Sequence, residues 1–298
     1  TARAQLAFAF PRGLGERGRT APDEPWQEAV LDAMFAHFGQ CFVEALLIDR
    51  LVEQDLSAPA EALQQLPTLK HVSSSGEEVV YRILDSGRGG LALSGHLGSI
   101  DLLAAYHIRC GVPLSVVGRV PNYPWLAALL EEIRTGYGAK TIWREDPRAG
   151  RTLVRSLKNG EFVAALIDQD TKLESAFAPF FGLPAASPVA LLQLAIRTKV
   201  PIVSSFIYRT APEQHFVVTE ELLYDDNDPD AAEKILAEFN LRLERLLERY
   251  PEQWPWWHRR WRRRPGVDYE QHPDRLPSRT EYLRWLEAAP SDTSGAVR

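Results

Sequence analysis

From Gly90 onward, short apolar runs of strand length alternate with segments of helical periodicity. Such alternation is typical of α/β proteins. The sequence therefore predicts a mixed, mainly parallel sheet flanked by helices on both faces. The predicted strands are 91–94, 114–117, 140–143, 162–167, 202–208 and 216–219. The predicted helices are 100–110, 125–136, 149–159 and 189–198, followed by a long charged helix at 230–250.

Three regions are expected along the chain. Residues 1–89 are predicted to form an N-terminal helical segment that packs on the core. The α/β core and its Trp/Arg-rich end occupy 90–266, and a C-terminal helix and tail occupy 267–298. Within the first region we expect helices at 1–10, 25–51 and 77–85 and a loop at 71–75. The last eight residues, 291–298, have the composition of a disordered segment.

A histidine stands where the strand at 91–94 turns into the following helix. Side chains at such a junction lie at the carboxyl edge of the sheet, where open α/β proteins bind ligands. There His96 could take a proton from a hydroxyl while Asp101, one helical turn on, fixes the imidazole tautomer. No activated Ser or Cys stands nearby, which favours direct proton abstraction over a covalent acyl-enzyme. The alternative is a histidine that caps the helix or is buried with one hydrogen bond.

Two further polar clusters follow predicted strands. Arg119, with Asn122 three residues later, could meet a developing oxyanion or a phosphate, or could be a surface arginine in a turn. Asp168 and Asp170 lie on the same side of an extended segment. They could position a cation such as Arg119, bind a metal or cap a loop. We expect no metal, because no further His or carboxylate follows at ligand spacing.

The segment 254–264 contains four tryptophans and five arginines in eleven residues. This composition suits a membrane interface, with indoles at headgroup depth and guanidinium groups on lipid phosphates. We expect lipid contacts from Trp257, Arg259, Arg260 and Trp261. Single-stranded nucleic acid is a second possible ligand, and a helix with core tryptophans is the third interpretation. The net charge of −6 argues against a dedicated nucleic-acid-binding protein.

An uncharged run at 177–196 has the length of a membrane-spanning helix. Pro179, Gly182, Pro184 and Pro188 interrupt its first half and would leave backbone groups unsatisfied in lipid. We therefore expect an apolar loop that enters a buried helix. The two cysteines, Cys41 and Cys110, have no metal-ligand spacing and indicate a reducing compartment.

Taken in order, these clusters resemble the lysophospholipid acyltransferase superfamily and, within it, the bacterial lipid A acyltransferases of the lauroyl/myristoyl type. The resemblance runs from about residue 3 to residue 265. The matching segments are Gly95-His96-x-Gly98 with Asp101; Arg119-x-Pro121-Asn122-x-Pro124; Arg134 and Gly138; Asp168-Gln169-Asp170; Phe180-Phe181-Gly182-x-Pro184-Ala185; and Pro251-Glu252-Gln253-Trp254 leading to His258-Arg259-Arg260-Trp261.

The resemblance implies an enzyme that transfers acyl groups other than aminoacyl groups. His96 would be the general base on the acceptor hydroxyl, with Asp101 as its partner. Arg119 and Asp170 would belong to the substrate-binding wall. The donor would be an acyl thioester on acyl carrier protein or coenzyme A, and no metal or organic cofactor is needed. The expected acceptor is a lipid A precursor or related glycolipid at the cytoplasmic face of a bacterial inner membrane.

The sequence departs from the family pattern at the motif itself. The family usually reads His-Phe-Gly-Asn-Trp-Glu, whereas this chain reads His-Leu-Gly-Ser-Ile-Asp at 96–101. Alternative acceptors are therefore a mannoside lipid, an aminolipid or a secondary-metabolite hydroxyl. A non-catalytic membrane-surface or nucleic-acid-binding protein using 254–264 is the alternative from another class. We expect no hydrophobic anchor within the chain, so that it either lies upstream of Thr1 or membrane binding is peripheral.

Overall fold

The computed structural model describes residues 1–11, 24–54, 69–267 and 277–288. The chain divides into two compact units. The sheet unit consists of Phe38–Leu166 and Thr198–Leu223. The hairpin unit consists of Thr1–His37, Ile167–Arg197 and Tyr224–Arg298. The tail predicted to be disordered, 291–298, lies outside the described residues.

Helices and strands alternate as the sequence predicts. The helices are α1 (Ala2–Ala9), α2 (Glu24–Leu46), α3 (Ile48–Leu51), α4 (Glu77–Asp85), α5 (Ile100–Arg109), α6 (Pro124–Gly136), α7 (Ala149–Lys158), α8 (Ala190–Thr198), α9 (Ala231–Arg249) and α10 (Arg279–Ala288), with a 3-10 turn at Pro251–Gln253. The strands are β1 (Val72–Ser75), β2 (Gly90–Ser94), β3 (Leu114–Gly118), β4 (Lys140–Trp143), β5 (Phe162–Leu166), β6 (Ser175–Phe180), β7 (Leu183–Pro188), β8 (Ile202–Ala211) and β9 (Gln214–Glu221).

The sheet unit contains a seven-stranded sheet in the order β1-β9-β8-β2-β5-β3-β4. Neighbouring strands are parallel except for the antiparallel pair β8–β9. The predicted mixed, mainly parallel sheet is confirmed. All five residues of the central strand β2 are buried, which explains its uninterrupted apolar run.

The expected loop at 71–75 is wrong. Val72–Ser75 is the edge strand β1, and it pairs in parallel with β9. Three of its four residues are serines, so it lacks the apolar alternation that marks a half-buried strand. Pairing with a neighbouring strand, which the sequence does not display, determines its conformation.

Helix α5 holds the segment after β2 in place. Its side chains enter two apolar clusters of the sheet unit: Leu102, Leu103 and Tyr106 belong to one, and Ala104 to the other. Full burial of a Leu side chain stabilises a fold by roughly 1.5–3 kcal/mol. The helix is therefore anchored along most of its length, and its first turn is a firm support for Asp101.

The hairpin unit contains a two-stranded antiparallel sheet, β6–β7. Its two-residue turn consists of Phe181 and Gly182, both with positive φ, as a type I′ turn requires. The apolar loop expected over the first half of 177–196 is therefore wrong, and the buried helix expected over the second half corresponds to α8. The sequence does not predict this hairpin, because its prolines are residues that normally interrupt strands.

We expected no hydrophobic anchor within the chain, but helix α2 is a candidate for one. Pro25–Leu46 is long and apolar enough to cross a membrane by length and composition, with a mean hydropathy of 1.2. Only 22% of that window is buried. Its large exposed apolar side chains are Phe35, Phe42, Val43 and Leu46.

Candidate active site

His96 lies in the turn that joins β2 to α5, and its side chain is half-buried. Gly98 makes this turn possible. Its φ is 66°, and a Cβ at this position would overlap the carbonyl oxygen of Ile207 on β8. A glycine is required there because only it accepts both the left-handed backbone and the close approach. The turn thus places His96 at the carboxyl edge of the sheet, as predicted.

Asp101 lies in the first turn of α5, and two side chains donate hydrogen bonds to it. Arg134 Nε is 2.8 Å from Asp101 Oδ1, and the hydroxyl oxygen of Tyr137 is 3.1 Å from the same atom. The Asp101 and Arg134 side chains are 14% and 13% exposed. Both of these hydrogen bonds end on Oδ1. The other carboxylate oxygen, Oδ2, can therefore accept a hydrogen bond from a further donor.

The charges around Asp101 reinforce its role as an acceptor. Burial lowers the pKa of the Arg134 guanidinium, but the Asp101 carboxylate more than compensates and raises it above its ordinary value. Burial, together with the Asp101 charge, raises the pKa of the Tyr137 hydroxyl. Arg134 therefore stays protonated and Tyr137 stays neutral, so both remain donors. Arg134 also lies over the ring of Trp143, 5.9 Å from its centroid.

Sequence reasoning assigned no site role to Arg134 and did not identify Tyr137. A signal was present, because residues three apart at the end of a helix lie on the same face. The apolar run at 91–94 and the helical spacing after it locate the strand–helix junction in the sequence. They do not show which neighbouring helix supplies the partners of Asp101.

Arg119 and Asn122 lie beyond the carboxyl end of β3, and both are exposed. Arg119 Nη2 donates to Asn122 Oδ1 at 3.4 Å. β3 and β2 flank β5, so their axes are about 10 Å apart. The structure thus brings Arg119 and Asn122 to the same sheet edge as His96. Next to them Tyr123 and Trp125 are 64% and 63% exposed.

Asp168 and Asp170 belong to the hairpin unit, where both are buried and bonded. Asp168 Oδ2 accepts a hydrogen bond from Trp254 Nε1 at 2.7 Å. Asp170 accepts from the backbone N of Arg263 at 3.1 Å and from its Nε at 2.5 Å. The cation at Asp170 is thus Arg263, where the sequence suggested Arg119. Among the described residues, no group of three or more His, Cys, Asp and Glu is placed to hold a metal ion.

The structure corrects the predicted membrane contacts of Arg260 and Trp261, which are 1% and 0% exposed. Arg260 donates to the carbonyl oxygen of Ala186 and, at 2.8 Å, to Ser187 Oγ on β7. Trp261 stacks on Phe180 with ring centroids 5.4 Å apart. These side chains form part of the interior of the hairpin unit. Burying an aromatic side chain such as an indole removes about 150–250 Å² of surface from water, which stabilises that interior.

The rest of the Trp/Arg segment divides between core and surface. Trp254 and Trp256 are fully buried. Trp257 is 43% exposed and stacks on Phe35 of α2 at 5.8 Å. Arg259 is half-buried. Trp257 and Arg259 are therefore the two predicted lipid-contacting residues that reach the surface.

A cavity of about 70 Å³ lies between α5 and the sheet. On the sheet side, Ala92 is in register with Ala164, which is in register with Val116. Small side chains at these positions leave the space open. Asp101 and Arg134 line the same cavity. An apolar chamber therefore adjoins the carboxylate of the predicted catalytic pair.

A comparison with protein families identifies the family of the chain. The family model of bacterial lipid A biosynthesis acyltransferases matches residues 2–263, which is nearly the whole chain. A search of curated proteins found no match. The chain therefore belongs to the bacterial lipid A biosynthesis acyltransferase family.

Proposed function

We propose that the protein is an O-acyltransferase that moves a fatty acyl group from an acyl thioester to a hydroxyl of a lipid A precursor or related glycolipid. The observation that carries the proposal is the junction of β2 and α5. His96 stands there five residues before Asp101, whose carboxylate is held by Arg134 and Tyr137 and lines an apolar cavity. Membership of an acyltransferase family supports the same chemistry.

In the proposed reaction His96 takes the proton of the acceptor hydroxyl. The resulting oxygen nucleophile attacks the thioester carbonyl, and the tetrahedral intermediate collapses with release of the thiolate. The imidazolium then returns its proton to the thiolate, so that an ester and a free thiol leave the site. Asp101 stabilises the imidazolium through its carboxylate, and Arg134 and Tyr137 hold that carboxylate in its orientation.

The same edge of the sheet supports the proposed substrates. Arg119 and Asn122 offer donors to a negatively charged group of the acceptor or to a developing oxyanion. A lipid A precursor fits because it carries phosphate, whereas a mannoside lipid, an aminolipid or a secondary-metabolite hydroxyl is an alternative acceptor. The donor is a thioester of acyl carrier protein or coenzyme A. Asp168 and Asp170, which hold Trp254 and Arg263, are proposed as further substrate-binding residues.

The proposed location is the cytoplasmic face of the inner membrane. The exposed apolar stripe of α2 includes Phe35, Phe42 and Leu46, and Trp257 extends it by stacking on Phe35. An apolar stripe of this kind partitions into the interface of a bilayer. Arg259 can contact lipid phosphate there. A non-catalytic protein that binds lipid or nucleic acid through 254–264 is disfavoured, because Trp254, Trp256, Arg260 and Trp261 are buried.

The test compares acyl transfer by the purified protein and by two histidine variants. The acyl donors are carrier-protein and coenzyme A thioesters, and the acceptors are lipid A precursors and total lipid extract. His96→Ala should lower turnover by roughly 10²–10⁴-fold, the usual contribution of a positioned acid–base group. His71→Ala is the matched control, because His71 lies just before β1 and contacts the Glu213 carbonyl oxygen. Near-normal transfer by His96→Ala protein would contradict the mechanism.

A further inference from the structure

His107 lines the cavity beneath α5 and has no part in the proposed proton transfer. Its side chain is 8% exposed. The Nε2 atom is 2.9 Å from Ser205 Oγ, and Ser205 Oγ is 2.8 Å from Thr219 Oγ1. Among the residues that the structure describes, Nδ1 of His107 has no hydrogen-bond partner. The cavity wall therefore contains an imidazole with one nitrogen unsatisfied.

This nitrogen constrains what can fill the cavity. Most side chains on the sheet side of the cavity are apolar, among them Ala92, Ala164 and Val116. The two serines there, Ser94 and Ser205, already have hydrogen-bond partners of their own. His107 Nδ1 is not among the fully buried unpaired atoms of the described residues, so it still borders solvent-accessible space. A plain hydrocarbon chain that filled the cavity would take that space away without offering Nδ1 a partner. An unsatisfied buried polar group typically costs about 1–3 kcal/mol. An occupant that carries its own polar group near His107 avoids that cost.

We infer that the cavity binds the acyl chain of the donor and that His107 recognises an oxygen substituent on that chain, most simply a hydroxyl. The inference rests on the proposed function and names its donor class. A hydroxyl satisfies either tautomer of the imidazole. If Nε2 donates to Ser205, Nδ1 accepts the hydroxyl proton, and if Ser205 donates to Nε2, Nδ1–H donates to the hydroxyl oxygen.

The geometry also indicates where on the chain the hydroxyl lies. His107 follows Asp101 by six helical positions, which is about 9 Å along the axis of α5. A hydroxyl on the second or third carbon would stay close to the thioester carbonyl at the Asp101 end. The substituent must therefore lie well along the chain. The cavity holds on the order of five to seven water-sized groups, which matches the outer part of a medium-length chain that ends near His107.

The first experiment uses the wild-type protein and three thioesters of equal chain length: decanoyl, 3-hydroxydecanoyl and 10-hydroxydecanoyl. The kcat/KM for the 10-hydroxydecanoyl donor should exceed that for the decanoyl donor by about 10- to 100-fold, the value of one satisfied buried hydrogen bond. The 3-hydroxydecanoyl donor should resemble decanoyl. Equal values for all three would mean that a retained water satisfies His107, and the inference would be wrong.

The second experiment identifies the residue that reads the hydroxyl. His107→Phe should reduce the preference to about onefold, and Ser205→Ala should reduce it in part, because the imidazole loses its anchor. His107→Asn keeps a polar group if the Phe variant does not fold. His71→Phe is the matched control and should keep the wild-type preference. A preference that persists in every folded His107 variant would overturn the inference.

A binding measurement separates this inference from the proposed function. Decanoate and 10-hydroxydecanoate are titrated into protein with ¹⁵N-labelled histidine. Only the hydroxylated acid should shift the Nδ1 resonance of His107, and it should bind about tenfold more tightly. This result is independent of catalysis. Loss of transfer with a preserved binding preference would count against the proposed function alone, and transfer without any preference would count against this inference alone.

Discussion

Arg134 Nε donates to Asp101 Oδ1 over 2.8 Å, and both side chains are largely withdrawn from water. Arg134→Met should therefore leave a buried carboxylate without its cation. Breaking such a pair from one side typically costs about 3–5 kcal/mol. We expect a lower melting temperature and a loss of kcat of at least roughly tenfold. Thermal unfolding and steady-state kinetics measure both, and an unchanged kcat would show that Asp101 does not depend on Arg134.

Tyr137→Phe is the milder change at the same carboxylate. It removes one hydrogen bond to Asp101 Oδ1 and keeps the ring. The expected loss of stability is about 1 kcal/mol. We expect kcat to fall several-fold while KM for the donor stays constant, because Tyr137 acts through Asp101. An increased KM with unchanged kcat would instead indicate direct contact with substrate.

Asp101→Glu tests the departure from the family's usual glutamate. The longer side chain must fit a space in which Arg134 and Tyr137 both close on Oδ1. We expect activity to fall, and to recover in part in Asp101→Glu/Tyr137→Phe, where room is made for the extra methylene. If Asp101→Glu alone matches the wild type, the packing around this carboxylate does not select aspartate.

Gly98→Ala tests the turn that carries His96. Gly98 and Gly87 both have positive φ, at 66° and 70°. An added Cβ would meet the Ile207 carbonyl at position 98 but nothing within 4 Å at position 87. Gly87→Ala should show only backbone strain, about 1 kcal/mol. Gly98→Ala should be considerably less stable and inactive. Equal melting temperatures would exclude the overlap as the reason for glycine.

Glu244 of the hairpin unit predicts a pH dependence of stability. Burial, helped by the nearby Glu248 charge, raises the pKa of its carboxyl to about 7. The hydrogen bond that Phe181 N donates to this carboxyl lowers the pKa, but by less than burial raises it. The folded state therefore binds this proton more tightly than the unfolded state does. Its stabilising contribution is complete below about pH 4.5 and is lost as the pH rises to about 7.

Glu244→Gln removes that titration and keeps an acceptor for Phe181 N. The variant should match the wild type at pH 4.5 and exceed it above pH 7.5 by about 1 kcal/mol, a figure reduced for partial exposure. Melting curves at the two pH values measure the difference. A constant difference between the two proteins at both pH values would contradict the assignment.

Liposome binding separates the surface residues from the buried ones. Phe35→Glu and Trp257→Ala should each weaken partition into anionic liposomes by roughly tenfold, because exposed apolar surface is lost. Leu223→Glu is the control, since Leu223 is 83% exposed in the sheet unit. Arg260→Gln should lower the melting temperature without changing partition. Weaker partition in the Leu223 variant alone would contradict this assignment of the docking surface.

The sequence predicts those features that are encoded locally. The strand at 91–94, the turn at His96 and the helix after it follow from apolar runs, glycines and helical spacing. The partners of Asp101 do not, because Arg134 reaches it from another helix. The sequence does not predict the hairpin β6–β7, because it contains prolines, or the strand β1, because three of its residues are serines. The burial of Arg260 depends on acceptors at Ala186 and Ser187, far away in the chain.

The order of strands in the sheet has a consequence for biosynthesis. Leu91 of β2 pairs with Val163 of β5 on one side and with Ile202 of β8 on the other. Both neighbours leave the ribosome after β2 does, so the nascent strand has two unpaired edges until β5 is made and one until β8 is made. Such edges attract other chains. The strand that leads to His96 is thus translated well before its second neighbour in the sheet. The yield of folded protein in cells therefore depends on keeping this strand from pairing with other chains during that interval.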